Sequence, residues 1–239
     1  MIDIHSHILP ETDDGAKSWP QAVEMCHMAA ADGITHIVAT PHANFTYRYD
    51  RKRHAETAQR LQEQIGNALQ IRLGCDFHMS AENIAAALEN PAGYVIAESR
   101  YLLVELSDFS IPPALLEGFH SLIKAGLRPI LTHPERNPLL QRRPEPVVDW
   151  VRNGLLVQVT AGSLTGLWGR TAQLVARWLL EQNAVHAVAT DAHDPRYRPP
   201  LLSSARRVLC NWQSEEVARA LVEDNPAAIL RDEDLPRQQ

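Results

Sequence analysis

His5 and His7 stand two apart at the end of a short apolar run, so on an extended strand both imidazoles project to one side. Asp3 shares that side one layer lower and reads as structural. Ligand-type residues recur at the ends of later apolar runs. Ile37-Val38-Ala39-Thr40-Pro41 leads to His42, Gly74-Cys75 to Asp76, and Leu102-Leu103-Val104 to Glu105. Ile130-Leu131-Thr132 leads to His133, and Ala189-Thr190 to Asp191 and His193, again two apart. Asp14, in the loop after the first run, is a further candidate; His78 stays open, because Phe77 and Met79 suit a strand turning outward. A lone histidine on a strand is more often packing than ligand. A carboxylate within an apolar run, such as Glu105, needs a partner or a cation. Recurrence decides between these readings: of seven strand-like runs, only the one ending Thr160-Ala161-Gly162 brings no ligand. His27, His36, His54, His120 and His186 fall within helices or at strand starts and read as structural.

Imidazole and carboxylate without thiolate suit Mn, Fe or Zn in a catalytic role rather than a structural zinc. Neighbouring divalent ions can bridge a hydroxide and clamp an ester's oxygens during in-line displacement. A phosphate dianion also needs cationic groups. Arg136 follows His133 closely, and Arg196 and Arg198 follow His193. A guanidinium fork matches phosphate oxygens, and position favours Arg136 and Arg198. Two other phosphatase chemistries fail on spacing. A cysteine phosphatase needs Arg six positions after Cys, whereas Cys26, Cys75 and Cys210 are followed there by Asp32, Ala81 and Glu216. No Asp-x-Asp-x-Thr loop follows the first strand. A metal-activated hydroxide is therefore the expected nucleophile.

These side chains need a scaffold that brings strand ends together. Strands are expected at residues 2–5, 36–40, 71–75, 101–106, 129–132, 155–160 and 186–190. Helices are expected between and after them, at 20–32, 50–69, 81–88, 113–126, 165–182, 202–212 and 214–223. Strand and helix alternating without a linker-like break predict one α/β domain over residues 1–239, a closed or nearly closed β/α barrel with its chemistry at the C-terminal strand ends. A doubly wound open sheet competes less well, because no Gly-rich turn follows the first strand.

A net charge of -6 argues against nucleic acid as partner. No basic leader or bilayer-length apolar stretch is visible, so membrane insertion is not expected. The three scattered cysteines read as free thiols in a reducing compartment, with the cytoplasm as the expected location. The acidic stretch at 232–234 is expected to be solvated or disordered.

The sequence resembles the PHP (polymerase and histidinol phosphatase) superfamily. Within it, the chain looks like the bacterial protein-tyrosine phosphatases encoded with capsule and exopolysaccharide genes. The matching segments are Met1-Ile-Asp-Ile-His-Ser-His-Ile-Leu-Pro10, Asp13-Asp14-Gly15-Ala16, Gly33-Ile-Thr-His-Ile-Val-Ala-Thr-Pro-His42, His133-Pro-Glu-Arg-Asn137, Gln158-Val-Thr-Ala161 and Thr190-Asp-Ala-His193. The resemblance implies a distorted (β/α)7 barrel with three divalent metal ions, usually manganese. By motif, His5, His7, Asp76 and Asp191 would hold the first ion. Asp76 would bridge to a second, completed by Glu105 and His133, while Asp14, His42 and His193 would hold the third. Arg136 and Arg198 fall where the family binds phosphate. Asp76 is a departure, since the family commonly has Glu there, one methylene longer. The implied substrate is a phosphotyrosine-containing protein such as the tail of a tyrosine kinase controlling polysaccharide export. The alternatives are a phosphatase of a small ester such as histidinol phosphate, and a non-catalytic barrel that keeps its metals for stability.

Overall fold

The computed structural model describes residues 1–235. Its strands are β1 (Ile2–Ser6), β2 (His36–Ala39), β3 (His42–Ala43), β4 (Gln70–Leu73), β5 (Asp76–His78), β6 (Tyr101–Glu105), β7 (Arg128–Thr132), β8 (Leu156–Thr160) and β9 (Ala187–Ala189). All pair in parallel, β1-β2-β4 in one sheet and β3-β5-β6-β7-β8-β9 in another.

Two of the expected strands are therefore each broken in two. Pro41 has no amide hydrogen to continue the ladder after β2. Gly74 packs so closely that a Cβ there would lie 3.1 Å from Val38 and 3.2 Å from Thr40. Backbone bonds carry the pairing across both breaks, from Gly74 N to Ala39 O at 2.8 Å and from Asp76 N to Pro41 O at 3.1 Å. Past the end of β9, Asp191 N donates to His5 O and His7 N to Ala192 O, each at 2.8 Å. These two bonds tie the exit of the last strand to the first.

Buried on both faces, the strands read as near-continuous apolar runs. One face carries Ile4, Val38, Tyr101, Leu103, Ile130 and Leu156, which pack with Ile229 of the Asn225–Leu230 helix. The other carries Ile37, Leu102, Val104, Leu131, Val157 and Val188, in one cluster with helix residues such as Met25, Leu61, Leu122 and Leu179.

Caps set several helix starts. Ser18, Asp50, Ser80 and Ser214 each accept a backbone N–H of the first turn of Trp19–Ala31, Arg51–Ile65, Ala81–Glu89 and Glu215–Arg219. The helix expected at 165–182 is two, Ala161–Thr165 and Gly169–Glu181, because Gly166 and Gly169 adopt left-handed backbone. The helix expected to stop at 223 continues through a π-helical turn into Asn225–Leu230. Two short helices, Pro138–Arg142 and Glu145–Arg152, lie where none was expected.

The acidic stretch is exposed yet anchored rather than disordered: Arg100 pairs with Asp232 at 3.3 Å and Asp234 at 2.9 Å, and the Tyr101 hydroxyl donates to Glu233 O. Cys26, Cys75 and Cys210 are free thiols. Among the described residues, no helix is long and apolar enough to cross a membrane.

Candidate metal centre

The strand ends bring all nine expected metal-ligand residues into one neighbourhood. His5 lies on β1 and His7 just beyond it; their Nε2 atoms face each other at 3.3 Å. Asp191 Oδ1 is 3.4 Å from each of those nitrogens, and Asp76 Oδ2 is 3.7 Å from His5 Nε2. The kinks after β2 and β4 set His42 beside Asp76, with Nδ1 and Oδ2 3.0 Å apart. Glu105 closes β6, 3.6 Å from His133 Nε2, and His78 is at the margin, 3.9 Å from Glu105. Asp14 Oδ1 faces His42 Nε2 at 3.3 Å and His193 Nε2 at 3.4 Å. Three compact donor sets result: His7, Asp14, His42 and His193; His5, His7 and Asp76; and His42, Asp76 and Glu105. His7 and His42 thus each belong to two sets, whereas the family motif assigns each to one.

The donor chemistry fits divalent cations. His5 Nδ1 is engaged by Gln158 Oε1 at 2.9 Å and His7 Nδ1 by Asp13 Oδ2 at 2.7 Å. Those bonds fix the tautomers and turn both Nε2 lone pairs toward the cluster, the usual support for ligating histidine. Asp76 is wholly buried, and neither of its oxygens has a hydrogen-bond partner despite the nearby imidazoles. His42 Nδ1 is likewise unpartnered. Bonds of about 2.1 Å to one ion place neighbouring donors about 3.0–3.4 Å apart, close to the spacings seen here.

With carboxylates as their only counter-charges, two imidazoles are held, against burial, toward the protonated form: Asp13 raises His7 to about 9, and Asp14 with Asp76 raises His42 to about 12. Burial works to raise the Asp76 carboxyl, but His5 and His42 hold it well below the ordinary carboxylate range. Asp191 is held low, against burial, by His5, Arg136 and Arg198. Burial, aided by Arg136, pushes His133 well below the usual imidazole value and keeps it neutral, as a ligand must be. The backbone is strained at two of these positions: His133 has φ 36° and Asp191 φ 52°, left-handed conformations that cluster at functional sites.

Sequence reasoning passed over several supports. Asp13 also accepts from His42 N at 3.1 Å, and Gln158 orients His5. Both sit in the motif segments, but no spacing rule marks them. Asp3, read as structural, accepts from His5 N and Thr190 N and fastens β1 to the end of β9 beneath the cluster. A Cβ on Gly15 would fall 2.0 Å from His7 O, so only glycine lets the Asp13-Asp14 loop fold back on His7. Trp168 carried no sequence signal, yet it packs under both expected arginines. Arg136 lies 3.7 Å and Arg198 5.1 Å from its ring centroid. Both guanidiniums bond Asp191 Oδ2, Arg198 at 2.6 Å. A cavity of about 190 Å³ opens between Glu105, His133, Arg136, Asn137 and Trp168. Arg196 is exposed and rests on Tyr197. None of His27, His36, His54, His120 and His186 belongs to the cluster; His186, for instance, accepts from Val157 N.

The profile of the capsular polysaccharide synthesis family CpsB/CapC matches residues 1–231. The chain belongs to the CpsB/CapC family. This CpsB/CapC protein is 33% identical over 211 residues to the putative tyrosine-protein phosphatase CapC of Staphylococcus aureus, covering 84% of this chain and 80% of that one. It is 31% identical over 242 residues to the tyrosine-protein phosphatase YwqE of Bacillus subtilis (strain 168), covering 100% and 94%. A crystal structure from work on YwqE of Bacillus subtilis and CpsB of Streptococcus pneumoniae, described as unique metal-dependent tyrosine phosphatases, superposes with a TM-score of 0.93 at 31% identity. That match covers 100% of this chain and 97% of the other. The family resemblance read from the motifs is thereby borne out.

Proposed function

We propose that this CpsB/CapC protein is a metal-dependent protein-tyrosine phosphatase that acts in capsule or exopolysaccharide synthesis. The observation that carries the reading is Asp191, whose Oδ1 faces the His5 and His7 nitrogens while its Oδ2 receives both Arg136 and Arg198. One carboxylate joins a cation-binding cluster to a pair of phosphate-type guanidiniums.

In this reading β2 with β3 and β4 with β5 are two kinked strands, so seven strands form a distorted (β/α)7 barrel and one domain spans the chain. His5, His7, Asp76 and Asp191 would hold one divalent ion, Asp76, Glu105 and His133 a second, and Asp14, His42 and His193 a third. Manganese is the favoured metal, with iron or zinc as the other candidates. When bound, such ions make hydroxide available at neutral pH and offset charge on the transferring phosphoryl group. Arg136 and Arg198 would exchange their bonds to Asp191 for bonds to the phosphate's non-bridging oxygens, each guanidinium matching two of them. Trp168 packs against both guanidiniums, Arg136 at the wall of the cavity by His133 and Arg198 at the wall of the one beside it. The proposed substrate is a phosphotyrosine-containing protein, a tyrosine kinase tail in the cytoplasm fitting the capsule context.

The test is phosphate release from a phosphotyrosine peptide by chelator-stripped protein, with and without Mn²⁺, beside histidinol phosphate. Manganese-dependent release favouring the peptide is expected. Release favouring histidinol phosphate would move the assignment to a small-molecule phosphatase, and no release from either ester would refute catalysis of this kind.

A further inference from the structure

Among the described residues, the aromatic side chains most open to solvent are Phe45, Phe109 and Tyr197, at 97%, 92% and 68% exposure. All three lie on loops that leave the C-terminal end of a strand next to a cluster residue. Phe45 follows His42 on β3, Phe109 follows Glu105 at the end of β6, and Tyr197 follows His193 beyond β9.

Each loop is held from beneath while its aromatic tip is left free. Asn44 Oδ1 accepts from Thr46 N and Tyr47 N, each at 2.9 Å, and the Tyr47 ring stacks over His42. Asn137, the neighbour of Arg136, donates to Ser107 O at 3.1 Å, and Asp108 borders the cavity beside His133 and Arg136. Asp194 Oδ1 accepts from Arg196 N and Tyr197 N, and Tyr197 lines a second cavity, of about 220 Å³, with Trp168 and Arg198. An aromatic side chain buries on the order of 150–250 Å² when it finds a partner, and in water it adds nothing to the fold. Three such chains at the strand ends, two of them on loops bordering cavities that share Trp168, point to a partner that lies across that end of the molecule.

We propose that Phe45, Phe109 and Tyr197 form an aromatic lip that grips the polypeptide on either side of a phosphotyrosine. The inference rests on the phosphatase reading and adds what selects a protein over a small ester. The occupant is a polypeptide segment because Asp108, next to Phe109, borders the phosphate cavity and Tyr197 shares Trp168 and Arg198 with the cavity beside it: a chain whose phosphotyrosine reaches Arg136 and Arg198 passes over these loops. A small aryl phosphate fills the cavity without reaching them. Aromatic side chains of this kind dominate protein–protein contacts.

The experiment compares kcat/KM on a phosphotyrosine peptide with kcat/KM on p-nitrophenyl phosphate, using manganese-loaded protein. In the triple variant Phe45→Ala, Phe109→Ala, Tyr197→Ala the peptide-to-ester ratio is expected to fall about tenfold, through KM for the peptide. Each single variant should show part of the fall, and Phe109→Tyr should restore most of it. An unchanged ratio overturns the lip, including the case in which the variants alter only self-association measured by light scattering. Wild-type protein that turns over the ester but not the peptide refutes the underlying protein-tyrosine phosphatase reading instead, so the two failures are distinct.

Discussion

Toward the N-terminal ends of the strands, Ile4, Tyr101, Ile130 and Leu156 pack against Ile229 with no carboxylate, imidazole or cationic side chain in the cluster. At the C-terminal ends of the same strands, five histidines and four carboxylates crowd together, Asp76 has no hydrogen-bond partner, and two residues take left-handed backbone. The base is built for packing energy. The upper end gathers buried charge around the site proposed for divalent cations. Even the polar residues follow the divide: at the base, Arg100 and Arg128 meet Asp234 in exposed, conventional ion pairs, whereas Arg136 and Arg198 converge on an almost fully buried Asp191.

That contrast can be broken by substitution. Asp76→Asn should lower turnover by about a thousandfold, as losing a preorganised charge at a metal site does. Its metal-free melting temperature should fall modestly, because the attraction of His5 and His42 for the carboxylate is lost, while the stabilisation by added manganese should disappear. Calorimetry with and without metal, beside kinetics, reads both quantities. A large drop in metal-free stability would mean the upper end is ordinary core.

Ile130→Ala makes the opposite prediction. Burial at the base is complete, so about 2–5 kcal/mol should be lost in denaturant titration. Turnover per folded molecule should stay near that of the parent. A loss of turnover without a loss of stability would erase the division between the two ends.

The smallest of these effects is a pH limb. Burial, with Arg128 nearby, lowers His186 to about 4. The unfolded chain takes up that proton first, near the ordinary histidine value of about 6.5. Stability should therefore fall as pH drops from there and level off below about 4, a span of about 3 kcal/mol. His186→Asn should flatten that limb in acid titrations of unfolding free energy; an identical limb would assign the acid sensitivity elsewhere.

Much of this was legible in the chain because ligand chemistry and strand position coincide. His5, Glu105 and His133 each end an apolar run, so type and place reinforce each other. The broken strands escaped notice because the strand-like run continues through Thr40-Pro41 and Gly74-Cys75 and pairing bridges both points, while the regular register is interrupted there. Gly166 inside an apolar pattern was a visible signal for the split helix, and Asn137-Pro138 for an unexpected one, its Asn side chain capping Leu139 N and Leu140 N. Asp13, Gln158 and Trp168 were not legible. Each acts through another residue, and such contacts are set by tertiary packing rather than by sequence spacing.

The most direct test is anomalous diffraction from crystals grown with manganese. Strong peaks between His5, His7, Asp76 and Asp191 and beside His42 and His193 are the expected result. A map with no anomalous signal among these side chains at saturating manganese would contradict the account at its root.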